Sequence, residues 1–209
     1  MINISDIVYW PPLEEEMKDY LKYFRGNVLN AGAGNRDLSK YIQGKLYNQD
    51  IPEGLHNNNI HFYSPLHKIP KADSFFDAII CNAVLEHVKN PNEVLNEFYR
   101  VLKKRGYLYL CVPFMQGEHK DPTDFQRFTK DGLKKIAEDH GFSIIKEEGI
   151  LSAYHTLGWV LYEWLVSKKC WSYSLLRKII FPIIRYKTKN SRIYVDSIAT
   201  GYRVLVIKK

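Results

Sequence analysis

Cysteine is scarce. Three occur in 209 residues, at positions 81, 111 and 170, and no Cys-x-x-Cys spacing is present. That excludes a disulfide framework and a thiolate zinc knuckle, and it leaves Cys81 and Cys111 as small apolar residues inside strand-like runs. Long apolar runs are missing too. Nothing approaches eighteen uninterrupted apolar residues, which argues against a conventional transmembrane helix. Met1-Ile2-Asn3-Ile4-Ser5-Asp6 lacks the basic, apolar and small-residue sections of a secretory signal, so a cytoplasmic protein is the expectation. Acid is lacking in one place. Between Ile150 and Arg192 there are eight basic residues and a single acid, Glu163, which accounts for the whole net charge of +7. The rest of the chain is formally neutral, so attraction to an anionic partner belongs to this segment. What is present, 45% hydrophobic and 14% aromatic residues, suffices for one domain over 1–209 with an elaboration at 150–195.

The stretch Asn27-Val28-Leu29-Asn30-Ala31-Gly32-Ala33-Gly34 reads as a buried strand entering a glycine turn. Gly32 and Gly34 let the backbone lie against a ligand without Cβ interference. Helical spacing is expected to resume over Asp37 to Ile42. A lone Gly-x-Gly suits an ordinary turn as well as a ligand loop, so its surroundings decide. Lys45 to Ile51 reads as a second strand carrying Asp50, sixteen positions after Gly34. In a doubly wound sheet an acid there can accept both hydroxyl hydrogens of a ribose. A dinucleotide fingerprint would require a third glycine three residues past Gly34. That position is Asp37, whose carboxylate would repel a pyrophosphate.

Alternation and punctuation organise the remainder. Pro11 to Phe24 reads as a helix with proline at its head and acids in its first turn, and Tyr9-Trp10 ahead of it as a hydrophobic staple or a flap over the site. Strands are expected at Ile60 to Tyr63, Ala78 to Asn82, Tyr107 to Pro113, Phe142 to Lys146 and Tyr202 to Ile207, the last antiparallel. Helices are expected over Asn92 to Lys104 and from Thr129 to His140.

Three stretches carry a resemblance: the first glycine loop, Ser74-Phe75-Phe76-Asp77-Ala78-Ile79-Ile80-Cys81-Asn82-Ala83-Val84-Leu85-Glu86-His87-Val88, and Arg100 to Leu108. Across about Asn27 to Glu148 the chain resembles the class I S-adenosylmethionine-dependent methyltransferases. Val112 to His119 with Asp121 to Thr129 is similar to a bacterial, glycan-associated subgroup. The resemblance implies a doubly wound, mostly parallel seven-stranded α/β sheet with an antiparallel last strand between the fifth and sixth, and a helical insertion before it. It implies S-adenosylmethionine as cofactor. Gly32 and Gly34 would meet its methionine part, Asp50 its ribose, Leu66 main chain its adenine, and Asn82 and Ala83 its sulfonium. Asn30 stands where the family has an acid, and Pro65 replaces the acid common before the adenine position.

Methyl transfer to a hydroxyl of a glycan, glycolipid precursor or small molecule needs alignment and a proton acceptor. His119, His87 and Asp124 are the catalytic candidates, and Asp121 and Arg127 the substrate-binding ones, because all fall at the carboxyl edge of the expected sheet. His87 also fits a helix-start histidine bonded to backbone, and Arg127 a partner for Asp124. His119-x-Asp121-x-x-Asp124 has divalent-metal spacing, but without a second ligand cluster a metal-free site is expected. Glu86 and Asn82 are expected to brace the loop, and the other histidines to be structural or solvated. The aromatic, basic insertion suits an anionic membrane surface, a lid or a homodimer face. Nucleic acid is not expected, since no recognisable module accompanies the charge. The alternative to an enzyme is a non-catalytic methyltransferase-like module that binds through this insertion.

Overall fold

A computed structural model describes residues 3–54, 59–120, 122–167, 172–191 and 193–209. Expectations attached to Asp121, Cys170, His56, Lys168, Lys169 and Arg192 lie outside the described residues.

Seven strands form one sheet in the order β3-β2-β1-β4-β5-β7-β6. They are β1 (Arg25–Ala31), β2 (Gln43–Asp50), β3 (Phe62–Tyr63), β4 (Phe76–Asn82), β5 (Leu102–Pro113), β6 (Phe142–Ile150) and β7 (Gly201–Lys208). β7 is antiparallel to both β5 and β6, and the remaining pairs are parallel. The expected α/β, doubly wound architecture with an inserted antiparallel last strand is therefore the one observed.

Alternation in the central strands builds two core faces. Leu29, Ile79, Leu108, Leu110, Val204 and Val206 point to one face. There they meet Val94, Leu95 and Phe98 of α2 (Pro91–Val101) and Leu133 and Ala137 of α3 (Lys130–Asp139). Val28, Ala78, Ile80, Tyr109 and Leu205 point to the other, against Met17, Tyr20, Phe24 and Leu38. Thr129 caps α3, its hydroxyl accepting the Gly132 amide at 3.0 Å.

Local expectations fail at three places for identifiable reasons. No helix follows the glycine turn, and residues 32–42 run as successive turns directly into β2. Asp37 Oδ1 accepts the Ser39 amide at 2.9 Å, a side-chain bond that competes with the helical ladder. Leu38 meanwhile plugs the core, fully buried. The first helix is only α1 (Leu13–Met17), followed by a 3₁₀ turn at Leu21–Tyr23. The apolar positions assigned to one long helix still face the sheet, but from a shorter scaffold. α2 stops at Val101, because Leu102 is already extended and pairs with Phe76 of β4.

Between β6 and β7 the chain forms α4 (Ala153–Ser167) and α5 (Ser172–Asn190). Leu165, Phe181 and Ile184 bury against Ile7 and Val8, so the N-terminal segment clasps the inserted pair. Trp10 is no staple for α1. Its ring lies 6.1 Å from His155 and 6.2 Å from Trp159 of α4.

Candidate active site

The turn after β1 is built by main-chain geometry. Gly32 and Gly34 have φ of +63° and +53°, a left-handed region that favours glycine. The Gly32 amide donates to Gln49 Oε1 at 3.0 Å, and the Gly34 amide to Asp50 Oδ2 at 2.8 Å. Asp50 Oδ1 accepts the Ile51 amide at 2.8 Å. Gln49, unnoticed in the sequence, thus ties the turn to β2, and its own amide nitrogen donates to the Ser64 carbonyl at 2.5 Å. Asn30, buried, donates from Nδ2 to Asn48 Oδ1 at 3.0 Å, so a neighbouring amide occupies it where the family pattern has an acid.

Ala83, just past β4, is held at φ +55°, a strained position for a residue with a Cβ. Its amide donates to the Cys111 carbonyl of β5 at 2.8 Å. Beside it the Asn82 Nδ2 is buried without a hydrogen-bond partner, as is Ser64 Oγ after β3. Buried polar groups are nearly always satisfied, so two orphans along one sheet edge fit a ligand with several polar groups. Asp37 is exposed, and its bonds from Ser39 hold its carboxyl below the usual range, keeping a negative charge just past the turn. That charge fits a cofactor without phosphates.

A cavity of about 700 Å³ opens at this edge. Asn82, Ala83, Glu86 and His119 line its floor, Glu148 and Arg203 one wall. Gly32, Gly34, Asp50 and Leu66 lie outside its lining, whereas Arg36, two residues past the turn, belongs to it. Trp10 and His155 belong to the lining as well. Tyr9 O can only accept, so His155 Nε2 donates to it at 2.9 Å, and Nδ1 accepts the Ser152 amide at 3.1 Å. His155 was expected to be structural or solvated, and its buried bonds pin the N-terminal segment to α4.

The wall formed by β6 and β7 escaped the sequence altogether. Arg203 Nε donates to Glu148 Oε1 at 2.6 Å, and Tyr20 donates its hydroxyl to the same oxygen at 2.6 Å. Only the register of β6 on β7, which places Glu148 opposite Arg203, assembles that group.

Glu86 occupies the centre of the polar floor. It is fully buried, and neither carboxylate oxygen receives a hydrogen bond. His119 Nε2 lies 3.5 Å and His87 Nε2 3.7 Å from Glu86 Oε1, with the two rings edge to face at 4.9 Å. His87 Nδ1 contacts the Thr123 carbonyl at 2.7 Å. His119 Nδ1 lies 3.4 Å from the Gly117 carbonyl and 3.5 Å from Asp124 Oδ2. Glu86 pushes the His119 pKa up, opposed by partial burial. Asp124 is held down to about 2, chiefly by hydrogen bonds from Arg127. Arg127 grips both Asp124 oxygens, and it also donates to the Gly117 carbonyl at 3.2 Å and the Gln126 carbonyl at 3.0 Å. Most of its fork is spent within the loop.

The inserted helices bury one face and expose another. Leu157, Val160 and Trp164 of α4, with Ile179, Ile183 and Tyr186 of α5, are each 48–66% exposed. Among the described residues no helix is long and apolar enough to cross a membrane.

The sheet order, the inserted antiparallel strand and the glycine turn define the class I S-adenosylmethionine-dependent methyltransferase fold. Residues 29–110 match the family model described as Methyltransferase domain. A ubiquinone/menaquinone biosynthesis C-methyltransferase of Ruegeria sp. (strain TM1040) is 31% identical over 85 residues, 41% of this chain and 29% of that protein. The chain spans about a third of the length of the curated relatives it matches. Among solved structures, a SAM-dependent methyltransferase from Archaeoglobus fulgidus superposes with a TM-score of 0.60 at 18% identity, covering 94% of this chain and 93% of that one. One from Aquifex aeolicus gives 0.59 at 17% identity, covering 98% and 92%.

Proposed function

We propose that the protein transfers a methyl group from S-adenosylmethionine to a hydroxyl of a glycan, glycolipid precursor or related small molecule. The observation that supports this reading is the sharing of one sheet edge by the glycine turn, Asp50, the orphaned Asn82 amide and the cavity that holds Glu86 and His119. The bound cofactor supplies the methyl carbon and a sulfonium leaving group. The chain's own residues supply position. Gly32 and Gly34, with Asn30, would hold the methionine part, Asp50 would accept from the ribose, and the Leu66 main chain would meet the adenine. Asn82 and Ala83 would hold the sulfonium end. The chain's own part in the transfer would be to take the proton of the acceptor hydroxyl at His119 Nε2. His87 and Glu86 stand beside it, and Asp124 positions its ring.

Calorimetry tests the cofactor. Micromolar to sub-millimolar binding is expected for the wild type, weakened at least tenfold when Gly32 and Gly34 are both replaced by valine in a protein that still folds by circular dichroism. No heat with the wild type, or unchanged affinity in that variant, overturns the reading. A failure there favours the non-catalytic binding module.

We also propose that the insertion rests on an anionic membrane surface. The exposed apolar faces of α4 and α5 lie in the segment that carries the chain's net positive charge, a combination suited to the lipid headgroup boundary. Flotation with anionic vesicles tests it, and a homodimer through the same face is the competing outcome.

A further inference from the structure

We propose that Glu86, His87 and His119 form a binding site for a divalent first-row transition-metal ion. One carboxylate oxygen and one ring nitrogen from each histidine all lie within 4.8 Å of one another. Metal–ligand bonds of about 2.1 Å at tetrahedral angles put ligand atoms about 3.4 Å apart. The separations of 3.5 and 3.7 Å from Glu86 Oε1 to the two nitrogens are close to that value.

The second, independent observation is Glu86 itself. A fully buried carboxylate without a hydrogen-bond donor is costly unless a cation offsets it. The two imidazoles stand off at 3.5 and 3.7 Å, and Arg127 is turned to Asp124. The space between the three side chains is where a cation would satisfy the carboxylate.

The ring orientations agree. The Thr123 carbonyl can only accept, so the His87 proton sits on Nδ1 and leaves the Nε2 lone pair facing Glu86. His119 turns Nδ1 toward the Gly117 carbonyl and the Asp124 carboxylate, and Nε2 toward Glu86. Carbonyl and carboxylate partners on the far nitrogen are how metal-ligating histidines are oriented. Arg127 in turn holds Asp124, giving that pair a positioning role. Two imidazoles and one carboxylate favour zinc, manganese, iron or cobalt over magnesium and calcium, which prefer all-oxygen shells.

His119 and Glu86 line the cavity, so an ion held by three protein ligands would keep its open position toward the acceptor. The chemical class it would take there is a hydroxyl or water oxygen, whose proton a divalent ion makes easier to lose. His119 is then a ligand and not the base; the ion makes the bound hydroxyl acidic enough to release its proton to solvent through the open cavity. The metal site does not rest on methyl transfer, because ion binding is read without cofactor or acceptor.

The test uses the full chain, stripped with a chelator, reloaded with zinc or cobalt and passed through gel filtration. One equivalent retained by the wild type is expected, with visible cobalt d–d absorption of a four- or five-coordinate site. Affinity by competition with a chromophoric chelator should fall at least tenfold in Glu86→Gln and in His119→Ala, and the cobalt bands should disappear in both. His140→Ala, whose ring bonds to the Ile136 carbonyl on α3, should retain the ion. Thermal melting of the metal-free variants confirms folding, and His119, partly exposed, serves if Glu86→Gln does not fold. Retention below about a tenth of an equivalent in the wild type overturns the site. So does equal retention by either folded variant, and so does loss in His140→Ala to the same degree.

Discussion

The amide of Gly34 donates to the carboxylate of Asp50 over 2.8 Å, so the turn after β1 and the end of β2 are held as one unit. The other Asp50 oxygen takes the Ile51 amide. Asparagine could satisfy only one of these donors and would present its own N–H₂ to the other. Asp50→Asn is therefore not a silent substitution. Both Asp50→Asn and Asp50→Ala should weaken S-adenosylmethionine binding at least tenfold, or about 1.4 kcal/mol, with alanine the weaker. Calorimetry on folded protein measures it, and unchanged affinity in the alanine variant would remove Asp50 from the cofactor site.

Gly32 packs against the loop after β4. A Cβ there would come within 2.5 Å of Val84 Cγ2, on a backbone with φ of +63°. Two costs add, backbone strain of about 1 kcal/mol and a clash of about 1–3 kcal/mol. Gly32→Ala should accordingly lower unfolding free energy by about 2 kcal/mol or more. Val84→Ala removes the clash but not the strain, so the double variant should recover part of the loss. Denaturant titration of all four proteins checks this, and strict additivity would show that the two residues do not press on each other.

Strand positions were legible because buried parallel strands are written as short apolar runs: Val28-Leu29, Ala78 to Cys81 and Leu108 to Val112 need only local pattern to be found. The missing helix after the turn was not legible. Leu38 and Ile42 have helical spacing, and what defeats the helix is one side-chain bond from Asp37 together with the plugging of Leu38 into the core. Tertiary contact overrides propensity at such places. At the site, motif residues announce themselves along the chain, whereas Gln49, Glu148, Arg203 and His155 acquire roles only through neighbours 15 to 146 positions away. Glu86 shows the limit most clearly. Nothing in Leu85-Glu86-His87 says that the carboxylate points inward, unbonded, toward His119.

An ion-pair group away from the site sets a pH dependence. Arg100 donates to both Glu97 oxygens at 2.7 and 2.8 Å and to the carbonyls of Ile69 and Lys71, while Glu97 also accepts the Ile69 amide. Arg100 holds the Glu97 pKa below its ordinary 4.5. A depressed carboxylate contributes stability that is fully present above the unfolded value and is lost as pH falls through the folded one. Glu97→Gln should cost about 1–2 kcal/mol near neutrality, since charge-assisted bonds to a half-buried group are replaced. Below about pH 4 the gap to the wild type should narrow. Thermal melts across that range measure it, and a gap that widens on acidification would contradict the assignment.

The exposed face of the insertion makes a prediction separable from catalysis. Leu157 on α4 and Ile183 on α5 are each more than half exposed and are not among the residues that line the cavity. If that face enters the headgroup boundary, each apolar side chain adds about 1 kcal/mol or more of transfer energy, and a carboxylate in its place reverses the sign and meets anionic lipid. Leu157→Glu with Ile183→Glu should therefore abolish flotation with anionic vesicles while leaving S-adenosylmethionine affinity and melting temperature within error. Neutral vesicles should retain the wild type less than anionic ones, and added salt should weaken binding, because the basic residues of the segment contribute through screened attraction. Equal flotation of wild type and double variant would exclude this face as the membrane contact. A wild type that sediments as a dimer, converted to monomer by the same two substitutions, would assign the face to a second copy of the chain.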